Sequence, residues 1–79
     1  MSDKGKFVGY ILGTEHEDFL LRVQLKAGLA AAVYGPLPGL ALRFKTADEA
    51  LKMAARIDRR SPLEVLRLYD RGSEWLVIQ

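Results

Sequence analysis

The sequence predicts an α+β fold, in which one amphipathic helix packs on one face of an antiparallel sheet. Three observations indicate this class: short segments rich in β-forming residues, one segment with helical periodicity, and an order of strands, helix and strands. We expect four to six short strands and the element order β-β-β-β-α-β-β. The 79 residues suffice for one small domain, and we interpret residues 1–5 as a mobile tail.

Three segments in the first half of the chain have the pattern of β-strands. Residues 6–13 form an apolar run rich in β-forming residues, and a polar turn at residues 14–18 follows it. Residues 29–34 carry small side chains that suit either close packing between a helix and a sheet or a short helical turn, and we favour a strand there. From residue 19 the pattern alternates, as in a half-buried strand, and its apolar face consists of Phe19, Leu21, Val23, Leu25 and Ala27.

A rigid loop and a short fourth strand precede the helix. The prolines and flanking glycines of residues 35–39 preclude a regular element there, because proline lacks a backbone donor. Leu40, Leu42 and Phe44 then alternate with small and charged residues. This alternation predicts a strand over residues 40–45 that leads directly into the helix.

A capping signal and helical periodicity predict the helix itself. The Thr46 hydroxyl can accept a hydrogen bond from the Glu49 N–H, while the Glu49 carboxylate reaches back to the Thr46 N–H. Apolar residues recur at helical spacing and predict an amphipathic helix over about residues 47–60: Ala47, Ala50, Leu51, Ala54 and Ile57.

The last part of the chain has the pattern of a β-hairpin. Pro62 ends the helix, and residues 63–69 form a strand-like run. Turn-forming residues at 70–73 separate this run from a second one at residues 74–79. We therefore expect the two C-terminal strands to pair with each other.

The composition excludes several classes of function. The hydrophobic fraction of 49% and the charged fraction of 28% are typical of a globular protein. The absence of cysteine excludes disulfides, zinc–cysteine clusters and thiol nucleophiles. No apolar run approaches the ~20 residues that would span a bilayer, so we expect a soluble, cytoplasmic protein with no membrane partner.

Catalytic and metal-binding signals are weak. His16 is the single histidine, and Glu15, Glu17 and Asp18 are its neighbours in sequence. These four residues are the chain's candidate for a metal site or an acid–base site. Because a metal site needs ligands that converge, we interpret this segment as a solvated acidic turn. We expect no enzyme activity, no cofactor and no metal, and a small metal-dependent enzyme around His16 is the third hypothesis.

Basic residues are distributed unevenly along the chain. Twelve Lys and Arg against ten Asp and Glu give a formal net charge of +2, yet no acidic residue lies between Phe19 and Ala47. The cations of that interval could share one sheet face, and those near the end of the helix also complement its dipole. We predict that a partner binds the cations of these two regions: Arg22, Lys26, Arg43, Lys45, Lys52, Arg56, Arg59 and Arg60.

One stretch resembles a known family. The loop Leu37-Pro38-Gly39, followed by a short strand and a helix that opens Thr46-x-x-Glu49-Ala50-Leu51, resembles the core of the HicB-type antitoxins. That family usually has Gly-Asp before the helix, where this chain has Phe44-Lys45. The resemblance implies a small α+β module that binds and neutralises another protein. In size and single-domain build, the chain is also similar to phage-encoded anti-CRISPR proteins, with which it shares no motif.

These observations lead to two main hypotheses. The first is a non-catalytic inhibitory binding protein that occludes a nucleic-acid-acting partner, such as a CRISPR effector complex or a toxin. The partner would be a larger protein or a nucleoprotein complex, and a homodimer through edge strands is a further expectation. The alternative is a small single-stranded nucleic-acid-binding protein that uses Arg22, Lys26, Arg43 and Arg67 together with the tyrosines Tyr10, Tyr34 and Tyr69.

Overall fold

A five-stranded antiparallel sheet and one α-helix form the fold in the computed structural model, which describes residues 4–57 and 62–79. The α+β class agrees with the sequence prediction, and so does the order of the elements apart from the predicted fourth strand. The strands lie in the order β3-β2-β1-β4-β5 across the sheet. The elements are β1 (Lys6–Gly13), β2 (Phe19–Lys26), β3 (Leu29–Gly35), α1 (Ala47–Arg56), β4 (Glu64–Asp70) and β5 (Trp75–Ile78).

The two halves of the sheet meet over a very short length. Strand β1 pairs with β4 along its whole length, and β2 pairs with β3 in the same way. In contrast, β1 and β2 pair only through Gly13 and Phe19, next to the turn that joins the two strands. The β2–β3 hairpin therefore diverges from the other strands, and the molecule is elongated, with principal dimensions of 47 × 23 × 20 Å.

The predicted fourth strand is not a full strand. Residues 38–40 form a 3-10 helical turn, and β3 extends to Gly35, so the expectation of no regular element over residues 35–39 is wrong at both ends. The chain then enters the gap between the diverging β1 and β2. The Leu42 N–H donates to the Leu20 carbonyl at 2.9 Å, and Phe44 and Tyr10 exchange hydrogen bonds of 2.8 and 2.9 Å. The segment is too short to pair further, because the helix begins at residue 47. The expected alternation is present, since Leu42 and Phe44 face the helix while Ala41 faces the other side.

Each face of the sheet has its own hydrophobic core. The helix-side core is formed by the buried residues Leu12, Leu20, Phe44, Ala50 and Ile57. The open-side core, on the face away from the helix, is formed by Ile11, Ala41, Leu66 and Leu68. The apolar character of β1 on both faces follows from this two-sided burial.

A bulge changes the pattern predicted for β2. The register shifts between Leu20 and Arg22, so that Leu21 is the extra residue. As a result, Phe19 packs with the open-side core, whereas Leu20 and Val23 belong to the helix-side core. The expectation that Phe19 and Val23 share one face is therefore wrong.

The helix begins as predicted and is shorter than predicted. The Thr46 hydroxyl accepts from the Glu49 N–H at 3.1 Å, while the Glu49 carboxylate accepts from the Lys45 N–H at 3.3 Å instead of that of Thr46. The helix ends at Arg56, because Ile57 adopts an extended conformation that buries its side chain in the helix-side core. Residues 58–60 of the predicted helix lie outside the described residues. Leu51, expected on the buried face, is 55% exposed.

Candidate protein-binding surface

Three large apolar side chains are exposed around the loop that precedes the helix. Leu37 is 58% exposed, Leu40 is 66% exposed, and Trp75 at the start of β5 is 40% exposed. We call these three residues the apolar surface. Leu37 and Leu40 flank Gly39, which lies against the Trp75 ring, so the three exposed side chains surround one contact. Groups of exposed apolar side chains are typical of interaction sites, whereas isolated ones are common everywhere.

Two backbone hydrogen bonds and one side-chain contact fix the loop that carries the two exposed leucines. The Leu40 N–H donates to the Leu37 carbonyl, and the Ala41 N–H donates to the Pro38 carbonyl, both at 3.1 Å. Gly39 lies directly against the indole of Trp75, where a Cβ atom would collide with Nε1. This contact joins the loop to β5, so the apolar surface is built from two distant parts of the chain.

Arg43 connects the apolar surface to a positive charge. Its guanidinium lies over the Trp75 ring, 5.2 Å from the ring centroid, and donates to the Gly39 carbonyl at 3.4 Å. A cation over an indole is attracted by the negative face of the ring. The surface therefore presents an indole and a guanidinium together, and these are the two side chains most enriched among residues that dominate binding energies.

The structure separates the basic residues predicted to bind a partner. Arg22 is exposed on β2 and, since it alternates with Val23, points to the same open side as Arg43. Lys52 and Arg56 lie on the exposed side of α1, across the sheet, where Lys52 pairs with Asp48 at 3.2 Å. The remaining predicted cations are Lys45, which is exposed just before the helix, and Arg59, Arg60 and the side chain of Lys26, which lie outside the described residues.

An aromatic cluster lies at the other end of β1. The Phe7 ring packs edge to face against Tyr10 at 5.2 Å and Tyr69 at 5.5 Å between centroids. Arg67 is the register partner of Tyr10 on β4, and it donates to the Gln79 carbonyl at 2.8 Å. Of the tyrosines proposed for base stacking, Tyr10 and Tyr69 thus come together, while Tyr34 packs against the helix-side core on β3.

The segment around His16 is an exposed turn. The Thr14 hydroxyl accepts from the N–H groups of His16 and Asp18, both at 3.2 Å, and so stabilises the turn. The His16 side chain is exposed, and its Nε2 lies 3.5 Å from a carboxylate oxygen of Glu15. Within residues 4–57 and 62–79, no three His, Asp or Glu side chains are placed to hold a metal ion.

Sequence reasoning did not identify the apolar surface. It assigned Leu40 to a strand and Trp75 to the C-terminal hairpin, and it treated the loop only as a rigid connection. The available signal was the pattern Pro-Leu-Pro-Gly-Leu at residues 36–40, in which a loop without regular pairing carries two large apolar side chains. That Trp75 lies beside this loop depends on the pairing of β5 with β4.

Comparisons with known proteins give no relative for this chain. No protein-family model matches it, and neither curated proteins nor solved structures give a significant match. The helix within the described part of the chain has ten residues, and no helix there is long and apolar enough to cross a membrane.

Proposed function

We propose that this protein is a non-catalytic binding protein that inhibits a larger protein or nucleoprotein complex acting on nucleic acid. The observation that carries the proposal is the apolar surface of Leu37, Leu40 and Trp75, with Arg43 held over the indole. Burial of these side chains by a partner would remove apolar area from water, which is the main favourable term in protein association.

The rigidity of the loop supports a role in recognition. Binding costs conformational entropy when side chains and loops become ordered. Here the 3-10 turn, two prolines and the contact between Gly39 and Trp75 already restrict the loop. A partner would therefore meet a largely preformed surface.

The charge distribution supports a partner that carries or contacts nucleic acid. The protein is basic, with a formal net charge of +2, and Arg22, Arg43, Lys45 and Arg56 are exposed. A basic protein cannot imitate a nucleic acid in the basic groove of an enzyme. The phosphates of a nucleoprotein complex would attract this basic protein and so raise the rate at which the two associate. Once bound, the protein would block a protein surface of the complex.

A pull-down followed by an inhibition assay tests the proposal. The tagged protein is used to capture partners from its host lysate with and without nuclease, and each captured protein is identified by mass spectrometry. We expect a stoichiometric partner that survives nuclease and whose activity on nucleic acid falls when the protein is added. A captured partner whose activity is unchanged, or capture of nothing but nucleic acid, would contradict the proposal.

Two leucine variants test the location of the interface. Leu40→Asp places a charge in the apolar surface and should abolish capture, because a buried unpaired charge is strongly unfavourable. Leu51→Asp is the matched control, since Leu51 is similarly exposed but lies on α1. Equal capture by the two variants would place the interface elsewhere.

The aromatic cluster favours a second candidate function, binding of single-stranded nucleic acid. Phe7 is 42% exposed beside Tyr10 and Tyr69, and exposed rings near cations can stack unpaired bases. This function predicts that an oligothymidine binds at low salt, that affinity falls steeply as salt increases, and that Phe7→Ala weakens binding. Fluorescence anisotropy of a labelled oligothymidine measures each effect, and no binding at low salt would exclude this function.

A further inference from the structure

A groove lined in part by acidic residues opens on the side of the sheet away from the helix. Its volume is about 420 Å³. It is lined by the apolar residues Phe19, Leu66, Val77 and Pro38 and by two acidic residues, Glu17 and Glu64. Phe19, Leu66 and Val77 belong to or pack against the open-side core, so the groove is part of the folded scaffold.

The β1–β2 turn positions Glu17. The Thr14 carbonyl accepts from the Glu17 N–H at 3.2 Å, and the Thr14 N–H donates to the Asp18 carbonyl at 2.8 Å. Glu17 itself has a φ of 63°, in the left-handed region that few residues other than glycine adopt. The turn thus holds the Glu17 side chain at the groove by backbone geometry.

A side-chain hydrogen bond positions Glu64 at the start of β4. The Gln79 amide nitrogen donates to both carboxylate oxygens of Glu64, at 3.1 and 3.0 Å. An amide orients the carboxylate without neutralising it. Among the residues that the structure describes, no cation lies within 4 Å of Glu17 or Glu64.

We propose that this groove binds an extended peptide segment of the partner in which a Lys or Arg side chain adjoins an apolar side chain. The apolar side chain would pack on Phe19, Leu66 and Val77, and the cation would be attracted to the carboxylates of Glu17 and Glu64 that line the same groove. The same carboxylates repel phosphate, so the groove disfavours nucleic acid. This inference rests on the proposed function and adds the chemistry of the segment that the partner inserts.

Peptide titration followed by NMR tests the groove directly. The probes are the blocked tripeptide acetyl-Leu-Arg-Leu-amide and its acidic counterpart acetyl-Leu-Glu-Leu-amide, added to the ¹⁵N-labelled full chain at low salt. We expect amide shifts at the groove residues and binding of the arginine peptide about three- to tenfold tighter than the acidic one. No binding of either peptide, equal affinities, or shifts confined to other parts of the sheet would overturn the inference.

A charge-neutral variant identifies the groups responsible. Glu17→Gln with Glu64→Gln keeps the size of both side chains and should remove the preference for the arginine peptide. Glu15→Gln is the matched control, because Glu15 lies in the same turn without lining the groove. Circular dichroism establishes that both variants fold. If the preference persists in the double variant, the two carboxylates do not bind the cation.

The peptide and pull-down experiments can fail separately. If the peptides do not bind while Leu40-dependent capture and inhibition persist, the groove inference is wrong and the proposed function stands. If the arginine peptide binds as expected and no inhibited partner is captured, the groove exists but the proposed function is wrong.

Discussion

At the scale of single residues, Gly39 shows how one small side chain permits a contact between distant parts of the chain. It is surrounded by the atoms Nε1, Cε2 and Cδ1 of Trp75, which occupy the space that a Cβ would need. A glycine is therefore required at this position because the Trp75 ring approaches the backbone closely, and not because of the backbone angles. The same contact holds the loop at the position where Leu37 and Leu40 are exposed.

Substitution of Gly39 by alanine should destabilise the protein. The added methyl group forces the indole away from the loop, and overpacking of this kind costs about 1–3 kcal/mol. Urea unfolding followed by circular dichroism measures the loss. Trp75→Phe removes part of the indole, so the loss should be smaller when Gly39→Ala is introduced into that background. An equal loss in both backgrounds would contradict the contact with Trp75.

The helix cap is the second effect at the residue scale. Thr46→Ala removes the acceptor for the Glu49 N–H and should lower the free energy of unfolding by about 1 kcal/mol. Thr46→Ser retains a hydroxyl and serves as the control, with an expected loss of a few tenths of a kcal/mol at most. If both variants unfold at the same urea concentration, the hydroxyl does not stabilise the helix.

At the scale of elements, the β2–β3 hairpin has a strained turn. Its two-residue loop places Ala27 at a φ of 50° and Gly28 at a φ of 80°, as in a type I′ turn. Positive φ values are unfavourable for alanine, by roughly 1–2 kcal/mol. Alanine thus lies at a position that asparagine would suit better.

Replacement of Ala27 by asparagine should therefore stabilise the hairpin, by up to about 1 kcal/mol. Ala31→Asn is the control, because Ala31 is exposed in the extended strand β3, where asparagine is mildly unfavourable. Thermal unfolding followed by circular dichroism compares the two variants. A decrease in stability for Ala27→Asn would show that the turn does not have the type I′ conformation.

At the scale of the whole molecule, stability depends on contacts between the two halves of the sheet. A domain of 79 residues has a total stability of about 4–12 kcal/mol. Since β1 and β2 pair at a single position, the divergent hairpin is joined to the other strands mainly by packing in the helix-side core and by the segment of Leu42 and Phe44. The buried side chain of Leu20 lies in that core.

Truncation of Leu20 should be among the most damaging single changes. Leu20→Ala leaves a cavity in the helix-side core and should cost about 2–5 kcal/mol, a large part of the total stability. Leu51→Ala removes the same atoms from an exposed site and should cost less than about 1 kcal/mol. Urea unfolding of both variants measures the difference. Similar losses would contradict the burial of Leu20.

Local sequence patterns were sufficient to predict the five strands and the start of the helix, and to place a break between β3 and the helix at the prolines. Strand alternation, proline and glycine positions and the cap at Thr46 each involve residues within a few positions of one another. The prediction failed where the outcome depends on distant residues. The alternation of apolar and polar residues does not reveal the bulge at Leu21. Helical spacing does not show that the helix ends before Ile57, whose side chain is buried in the helix-side core.

The sequence by itself therefore determined the α+β class, the order of the five strands and the helix, and the basic, cysteine-free character of the chain. Only the tertiary structure decided how the gap between β1 and β2 is filled and which leucines are exposed. It also decided that Arg43 lies over Trp75 and that Glu17 and Glu64 line one groove. The contact of Gly39 with Trp75 and the groove lined by Glu17 and Glu64 join residues far apart in sequence. Such contacts arise from strand pairing and side-chain packing, which no short segment specifies alone.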